Sequence, residues 1–456
     1  MTIIDVEAAR ADLDEVRARH ALGLDSARPD AVAKRRKIAG RTARENVADL
    51  CDPDSFIEYG ALTIAAQRRR RTLDDLMTST PADGMIAGFG TVNAALFGAD
   101  RTRCAVLAYD YTVLAGTQGH NNHKKKDRLF ELAAEWKSPL VFFTEGGGGR
   151  PGDVDTDDLI MSWLDLKTFA TWPQLSGIAP RIAVNAGRCF AGNAVIFGCA
   201  DITVATANSN IGLAGPAMIE GGGLGRFTPE DIGPIEVQTK NGVVDIACAD
   251  EVEATTVARQ LLGYFQGTTP NWNAVDQRRL RHLIPENRLR VYDVRAVIHD
   301  LADTGSVLEL RPHYGVGLIT AFARIEGQPF GLIANDPRHL GGAIDGDGGE
   351  KGGRFLQLCD AYGVPVVSLC DTPGFMVGPD SEKTAAVRRG SRLILASANL
   401  AVPLFTVIVR KGYGLGAQAM AGGSFKAPFF TVAWPTGEFG GMGLEEIGRA
   451  SCRERV

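Results

Sequence analysis

Three stretches of this chain are written twice. Residues 130–150, FELAAEWKSPLVFFTEGGGGR, are answered by 355–376, FLQLCDAYGVPVVSLCDTPGFM. In each, a helical run ends in a turn before proline, an apolar strand follows, and an acidic residue with glycine closes it. Glu145 matches Asp371 at a separation of 226 residues. Gly192 in PRIAVNAGRCFAGNAVIFG (180–198) matches Gly416 in VPLFTVIVRKGYGLGAQAMAG (402–422) at a separation of 224. Upstream, GMIAGFGTVNAALFGADRTRCAVLAYD (84–110) is echoed by GLITAFARIEGQPFGLIANDP (317–337). Near-constant spacing over three blocks points to two copies of one α/β unit, facing each other across one site.

A chain of 456 residues has room for two such units, each with its own core. A net charge of −5 offers no field that would draw it to nucleic acid or an anionic membrane. Fifty-four glycines fit many tight strand-to-helix turns. The eight cysteines are scattered without a C-x-x-C pair, so buried reduced thiols are expected and a zinc ribbon is not. The N-terminus lacks the apolar segment of a signal peptide, and no run approaches the length of a membrane span. A cytoplasmic protein is expected.

Residues 1–50 read as helices ending in a basic stretch, Lys34, Arg35, Arg36 and Lys37, expected to be a solvated face. From Phe56 to Asp110 the period shifts towards two, which predicts a meander of strands. From Lys124 to Leu213 strands alternate with helices, as in βαβ crossovers. The polar segment 268–290 is the expected domain boundary, dividing the chain into 1–270 and 271–456. The closing string IGRASCRERV carries no apolar periodicity and is expected to be foreign sequence at a truncation.

The glycine turns carry the chemistry. In AGRCFAGNA and RKGYGLGAQAM a strand enters small residues and then a helix, a geometry that presents backbone N–H groups to a developing oxyanion. A single such turn would be read as packing only; two in register favour the functional reading. EGGGGRPGD (145–153) permits close backbone approach, with Arg150 placed to meet phosphate or carboxylate. HNNHKKK (120–126) holds two histidines at i, i+3 without a third ligand, so no metal is expected. Its lysines suit either cofactor phosphates or a solvated face. RRRR (68–71) is expected to face solvent. No G-x-S-x-G elbow or defensible triad occurs, so backbone donors and a borrowed base remain.

Over residues 30–446 the chain resembles the carboxyltransferase (beta) subunit of biotin-dependent acyl-CoA carboxylases of the propionyl-CoA and acetyl-CoA type. RRKIAGRTARENVADLCDPDSFIEYG is similar to the family's opening, and IPENRLRVYDVRAVIHDLADTGSVLEL to its inter-domain segment. GGAIDGDGGEKGGRFLQLCDAYGVPVVSLCDTPGFMVG is similar to its most recognisable block, and RKGYG and AWPT stand as in the family. The resemblance implies two tandem crotonase-like (ClpP/crotonase) domains related by internal duplication, an α/β fold. The N-terminal domain would hold acyl-CoA and the C-terminal one the biotin cofactor, as carboxybiotin on a carrier protein. Carboxybiotin would release CO2, and the biotin enolate would take the α-proton.

Carried onto this sequence, the resemblance implies donor pairs at Ala191 and Gly192 and at Leu415 and Gly416, each with one family glycine replaced. It implies acyl-CoA binding by Gly116, Gly147, Gly148, Arg150 and Lys124. Gly374, Phe375, Tyr413 and Gln418 would form the biotin and acyl pocket, Gln418 standing where the family often has Asp. No A-M-K-M biotinylation site occurs, so a separate biotin carboxylase and biotin carboxyl carrier protein are the expected partners. A homo-oligomer is also implied, a hexamer built as a trimer of dimers. The alternatives are a biotin-dependent decarboxylase or transcarboxylase subunit, a crotonase-type hydratase or isomerase, and a non-catalytic assembly subunit.

Overall fold

A computed structural model describes residues 10–157 and 164–442. The closing IGRASCRERV lies outside the described residues. Two compact units divide the chain. The first takes residues through Ala94, then Gly98–Ile235 and Ala247–Gln260; the second takes Ala95–Phe97, Glu236–Ile246 and the residues from Leu261 on.

The first unit opens with helices Ala11–Ala21, Pro29–Lys37 and Ala43–Leu50. The last starts at T-A-R-E because Thr42 accepts the Glu45 N–H while the Glu45 carboxylate takes the Thr42 N–H, a capping box. The sheet runs β1 (Ile57–Glu58), β2 (Met85–Thr91), β3 (Arg103–Tyr109), β4 (Leu140–Phe143), β5 (Arg181–Asn185), then β7 (Ile202–Thr206) and β9 (Ile246–Cys248). The first three strands pair antiparallel, and β3, β4, β5 and β7 pair parallel. Strands covered on both faces need continuous apolar runs, and every residue of β4, β5 and β7 is buried. Phe130, Phe142 and Trp172 pack there ring against ring. A small pair, β6 (Arg188–Phe190) with β8 (Asn210–Gly212), stands beside this sheet.

The second unit repeats the series of pairings. Its β10 (Leu308–Leu310), β11 (Leu318–Ile325) and β12 (Gln328–Asn335) are antiparallel neighbours. β13 (Val366–Thr372), β14 (Leu404–Tyr413) and β15 (Phe430–Ala433) follow in parallel, with β16 (Glu438–Gly440) also on β14. Its core joins Ile298, Ile319, Leu332, Val367, Leu369 and Val409. The glycine-rich helix Gly346–Ala361 is explained by its neighbour, Ala386–Ala398. A Cβ at Gly349 would stand 2.7 Å from Gly390 Cα, and one at Gly353 would stand 3.0 Å from the Arg392 carbonyl oxygen.

Candidate functional site

In the first unit β4 ends at Phe143, and the chain turns through Thr144 and Glu145 into the glycine run. The preceding turn sets that position. Gly116 has φ +61°, and a Cβ on it would stand 2.5 Å from the Glu145 carbonyl oxygen. Single parallel bridges then stitch Gln118 to Gly149 and Gly146 to Cys189. Asn193, fully buried, is the hub of the turn. Its amide donates to the Thr144 carbonyl at 3.1 Å, and its side-chain oxygen accepts the Gly148 N–H at 3.1 Å and the Gln118 amide at 3.2 Å.

Of the two donors expected here, Gly192 opens the helix Gly192–Gly198, where a first-turn N–H has no intrahelical partner. Ala191 is a correction. It sits at φ +53°, and its N–H is spent on the Gly212 carbonyl at 3.0 Å because the β6–β8 pairing runs on into it. A Cβ at Gly148 would stand 2.8 Å from that of Ala191, which ties the glycine run to the same turn. The Gly147 N–H is taken by the Ala115 carbonyl at 3.1 Å, although Gly147 itself is exposed.

Arg150 is also corrected. Its guanidinium is buried and pairs with Asp83 and, at 3.6 Å, with Asp153. These two carboxylates cap the helix His120–Trp136, Asp153 accepting the His120 N–H at 2.8 Å and Asp83 the Asn122 N–H at 2.7 Å. Burial pushes the Asp83 carboxyl up to about 6 while Arg150 pulls against it. The helix start near the lysines therefore already holds anions. Of the three lysines only Lys124 is exposed. Lys125 donates to the Ala82 carbonyl at 3.0 Å and Lys126 to the Tyr109 hydroxyl at 2.7 Å. Burial lowers them to about 8 and about 7. His123 is buried too, its Nδ1 2.7 Å from the Thr168 hydroxyl, which itself donates to Asp127 at 2.6 Å. The histidine nitrogen is thus the donor, in the neutral Nδ1–H form.

The basic run 34–37 is not uniformly solvated. Arg35 is 6% exposed and grips Glu145 through two contacts, Nη1 to Oε1 at 2.9 Å and Nη2 to Oε2 at 2.8 Å. Burial pushes the Glu145 carboxyl up to about 7, with Arg35 opposing it.

The second unit builds the same turn with other residues. Gly342 has φ +91°, and a Cβ on it would run into the Asp371 carbonyl oxygen, as at Gly116 and Glu145. Ile344 bridges Phe375 as Gln118 bridges Gly149. Gly374 donates its N–H to the Thr372 hydroxyl at 3.1 Å. A Cβ at Gly416 would stand 2.7 Å from Gly374 Cα, so the two glycines touch. Leu415 and Gly416 lie in the first turn of the helix Gly414–Ala419, and Leu415 is 63% exposed. Gln418 is exposed, whereas Tyr413 is buried with its hydroxyl donated to Glu438 at 2.6 Å. Lys351 repeats Lys125 at the 226-residue offset, donating to the Arg311 carbonyl at 2.8 Å, and burial lowers it to about 7. Asn193 escapes sequence reasoning, and Arg35 and the buried lysines are read there as solvent- or phosphate-facing, although the repeat offset carries Lys125 onto Lys351.

Each unit's sheet, of one topology and closing on a glycine turn, has the crotonase fold, and the family assigned to it is that of carboxyltransferases. The chain belongs to the carboxyl transferase domain family, whose model matches residues 35–455. It is 30% identical over 436 residues to the methylmalonyl-CoA carboxyltransferase 12S subunit of Propionibacterium freudenreichii subsp. shermanii, covering 93% of this chain and 80% of that one. It is likewise 30% identical to the acetyl-/propionyl-coenzyme A carboxylase beta5 subunit of Mycobacterium tuberculosis, covering 96% of this chain and 81% of the relative. Among solved structures, a single-chain, multi-domain long-chain acyl-CoA carboxylase superposes with a TM-score of 0.94 at 59% identity. That match takes in 97% of this chain and 44% of the longer one. The transcarboxylase 12S hexamer structure, with methylmalonyl-CoA bound, superposes with a TM-score of 0.84 at 28% identity, covering 98% and 85%. Among the described residues no helix is long and apolar enough to cross a membrane.

Proposed function

We propose that this chain moves a carboxyl group from carboxybiotin on a carrier protein to the α-carbon of an acyl-CoA, as a cytoplasmic carboxyltransferase subunit. The observation that carries the reading is the glycine contact in the second unit. Gly416 lies against Gly374 with no room for a Cβ, and Leu415 and Gly416 lie in the first turn of their helix, where backbone N–H groups lack intrahelical partners. Neutral, fixed amides suit the ureido oxygen of biotin and an enolate oxygen better than charged groups would. Carboxybiotin, when bound, supplies the carboxyl group. Leu415 and Gly416 would donate to the biotin oxygen, and Gly192 to the thioester enolate.

In this reading residues 1–270 serve the acyl-CoA and 271–456 the biotin. Gly116 shapes the acyl-CoA side and Gly147, Gly148 and Lys124 line it; Gly374, Phe375, Tyr413 and Gln418 surround the biotin and acyl pocket. Arg150 acts from behind by holding Asp83 and Asp153. Identity of 59% to a long-chain acyl-CoA carboxylase favours a long acyl chain. Biotin carboxylase and carrier functions would come from elsewhere, and the 12S hexamer supports a hexameric assembly. The same half-reaction runs backwards in a decarboxylase or transcarboxylase subunit. That second reading has the same 30% identity behind it, to the methylmalonyl-CoA decarboxylase subunit alpha of Veillonella parvula.

The test is transfer from malonyl-CoA, methylmalonyl-CoA or a long-chain 2-carboxyacyl-CoA to free biotin, with carboxybiotin and the decarboxylated ester measured together. Turnover strongest with the long chain is expected. No transfer with any ester by the correctly assembled protein would overturn the reading.

A further inference from the structure

We propose that Arg35 is a positioning residue for the substrate turn of the first unit, acting through Glu145, and that Arg410 does the same for the second through Asp371. The inference rests on the function proposed above and adds residues that touch neither substrate.

Glu145 and Asp371 occupy one position in the two units, just before the substrate turn, and each carbonyl is pinned by a glycine of the preceding turn, Gly116 or Gly342. Each carboxylate then meets an arginine from a different kind of element. In the first unit the arginine comes from the helix Pro29–Lys37 and chelates both oxygens of Glu145. Its remaining edges are taken as well: Nε donates to the Arg41 carbonyl at 2.9 Å, and Nη2 lies 3.5 Å from Glu251. Glu251 in turn accepts the Arg41 N–H at 2.7 Å and the Asn46 amide at 3.2 Å. In the second unit the arginine comes from β14. Arg410 stands 3.2 Å from Asp371 Oδ2, which also accepts the Tyr292 hydroxyl at 2.9 Å, and Oδ1 accepts the Lys411 N–H at 3.1 Å.

A buried arginine–carboxylate pair is a poor way to gain stability, because desolvation offsets most of its attraction and an apolar pair would serve a fold as well. What the Arg35–Glu145 pair does give is direction: a hydrogen bond from Nη1 and a close ionic contact from Nη2 hold both carboxylate oxygens, fixing the group in angle and depth. The residue after Glu145 shows what is being fixed. Gly146 donates its N–H to the Arg188 carbonyl at 2.7 Å and accepts the Phe190 N–H at 3.0 Å, so a shift at Glu145 carries β6 and with it Gly192. Both units set an arginine from a non-equivalent element on the carboxylate before the turn, one through two contacts and the other through a single 3.2 Å contact, the pattern expected when the position of that carboxylate is itself required.

The variants are Arg35→Lys, Arg35→Met and Glu145→Gln in the full chain, with Arg410→Lys as the second-unit counterpart. Two measurements are made on each: amide hydrogen exchange over 145–150 and 188–193, and separate kcat and KM for the CoA ester and for free biotin. The expected result for the first three is faster exchange in those segments. Their kcat/KM for the ester falls roughly 10- to 100-fold, and the biotin KM stays within about twofold. Arg410→Lys should move the biotin parameters instead. Unchanged exchange and unchanged ester kinetics overturn the proposal, as does a uniform loss of protection across the first unit with both KM values raised alike. Arg35→Lys and Glu145→Gln keep the bulk of the side chain, so they decide the matter if Arg35→Met does not fold. Faster exchange in those two segments without any transfer by the wild-type protein would leave the positioning role standing and the proposed function fallen.

Discussion

Leu415 separates a side chain from its backbone. The side chain points to solvent while the N–H belongs to the first turn of a short helix, so the two can be tested apart. Leu415→Ala is expected to leave kcat within about twofold, whereas Leu415→Pro, which deletes the N–H, should cost about 10²–10³ in kcat for transfer to biotin. His123 offers a second test. Burial holds its imidazole down to about 2, so below pH 6.5 the unfolded chain binds a proton that the folded one refuses. Stability therefore falls with acidification, by roughly 1 kcal/mol per pH unit from this group, until pH approaches the folded value. Lys126, three residues on, His120 and Arg150 push in the same direction. His123→Asn, which keeps a donor for Thr168, should flatten that acid limb in urea titrations between pH 6 and 4. At this scale the repeat made Gly192 and Gly416 legible, because each copy vouched for the other. Asn193 stayed hidden because its counterpart is Ala417, and Arg35 because one buried arginine in a basic run looks like its solvated neighbours. Ala191 carried the right address but the wrong role, since no sequence pattern reveals that Gly212 has claimed its N–H.

Helix Gly346–Ala361 illustrates what an element asks of its sequence. Glycine inside a helix costs up to about 1 kcal/mol relative to alanine, and this helix accepts that cost where its neighbour's backbone comes too close for a Cβ. Gly349→Ala is expected to lose about 1–3 kcal/mol in equilibrium unfolding through the clash with Gly390 and Arg389. Gly198, at the end of its helix, meets nothing within 4 Å and has ordinary backbone angles, so Gly198→Ala should gain about 0.5–1 kcal/mol. Strands and crossovers were readable because continuous apolar runs can only be buried on both faces. The meander over 56–110 was readable too, though the helix Leu73–Ser79 interrupts it with its own Thr72 cap. The helix start at 120 misled because three lysines suggest an open anion site, while its anions, Asp83 and Asp153, come from 37 residues before and 33 after.

The two units repeat one sheet plan, and that plan was the most legible feature of the sequence because three matched blocks at near-constant spacing leave few other arrangements. Assembly was legible only through resemblance, since subunit contacts depend on surface shape. A hexamer of this 48.6 kDa chain predicts a mass of about 290 kDa by light scattering, and a monomeric mass would remove the assembly part of the proposal. The buried lysines have a further consequence. Lys125, Lys126 and Lys351 are held towards their neutral, nucleophilic forms inside a protein proposed to handle reactive thioesters. Burial of all three side chains stands between them and acylation by the cargo. Each acyl mark found on one of them would therefore record a moment when its unit had opened, turning ordinary substrate into a clock of the protein's breathing.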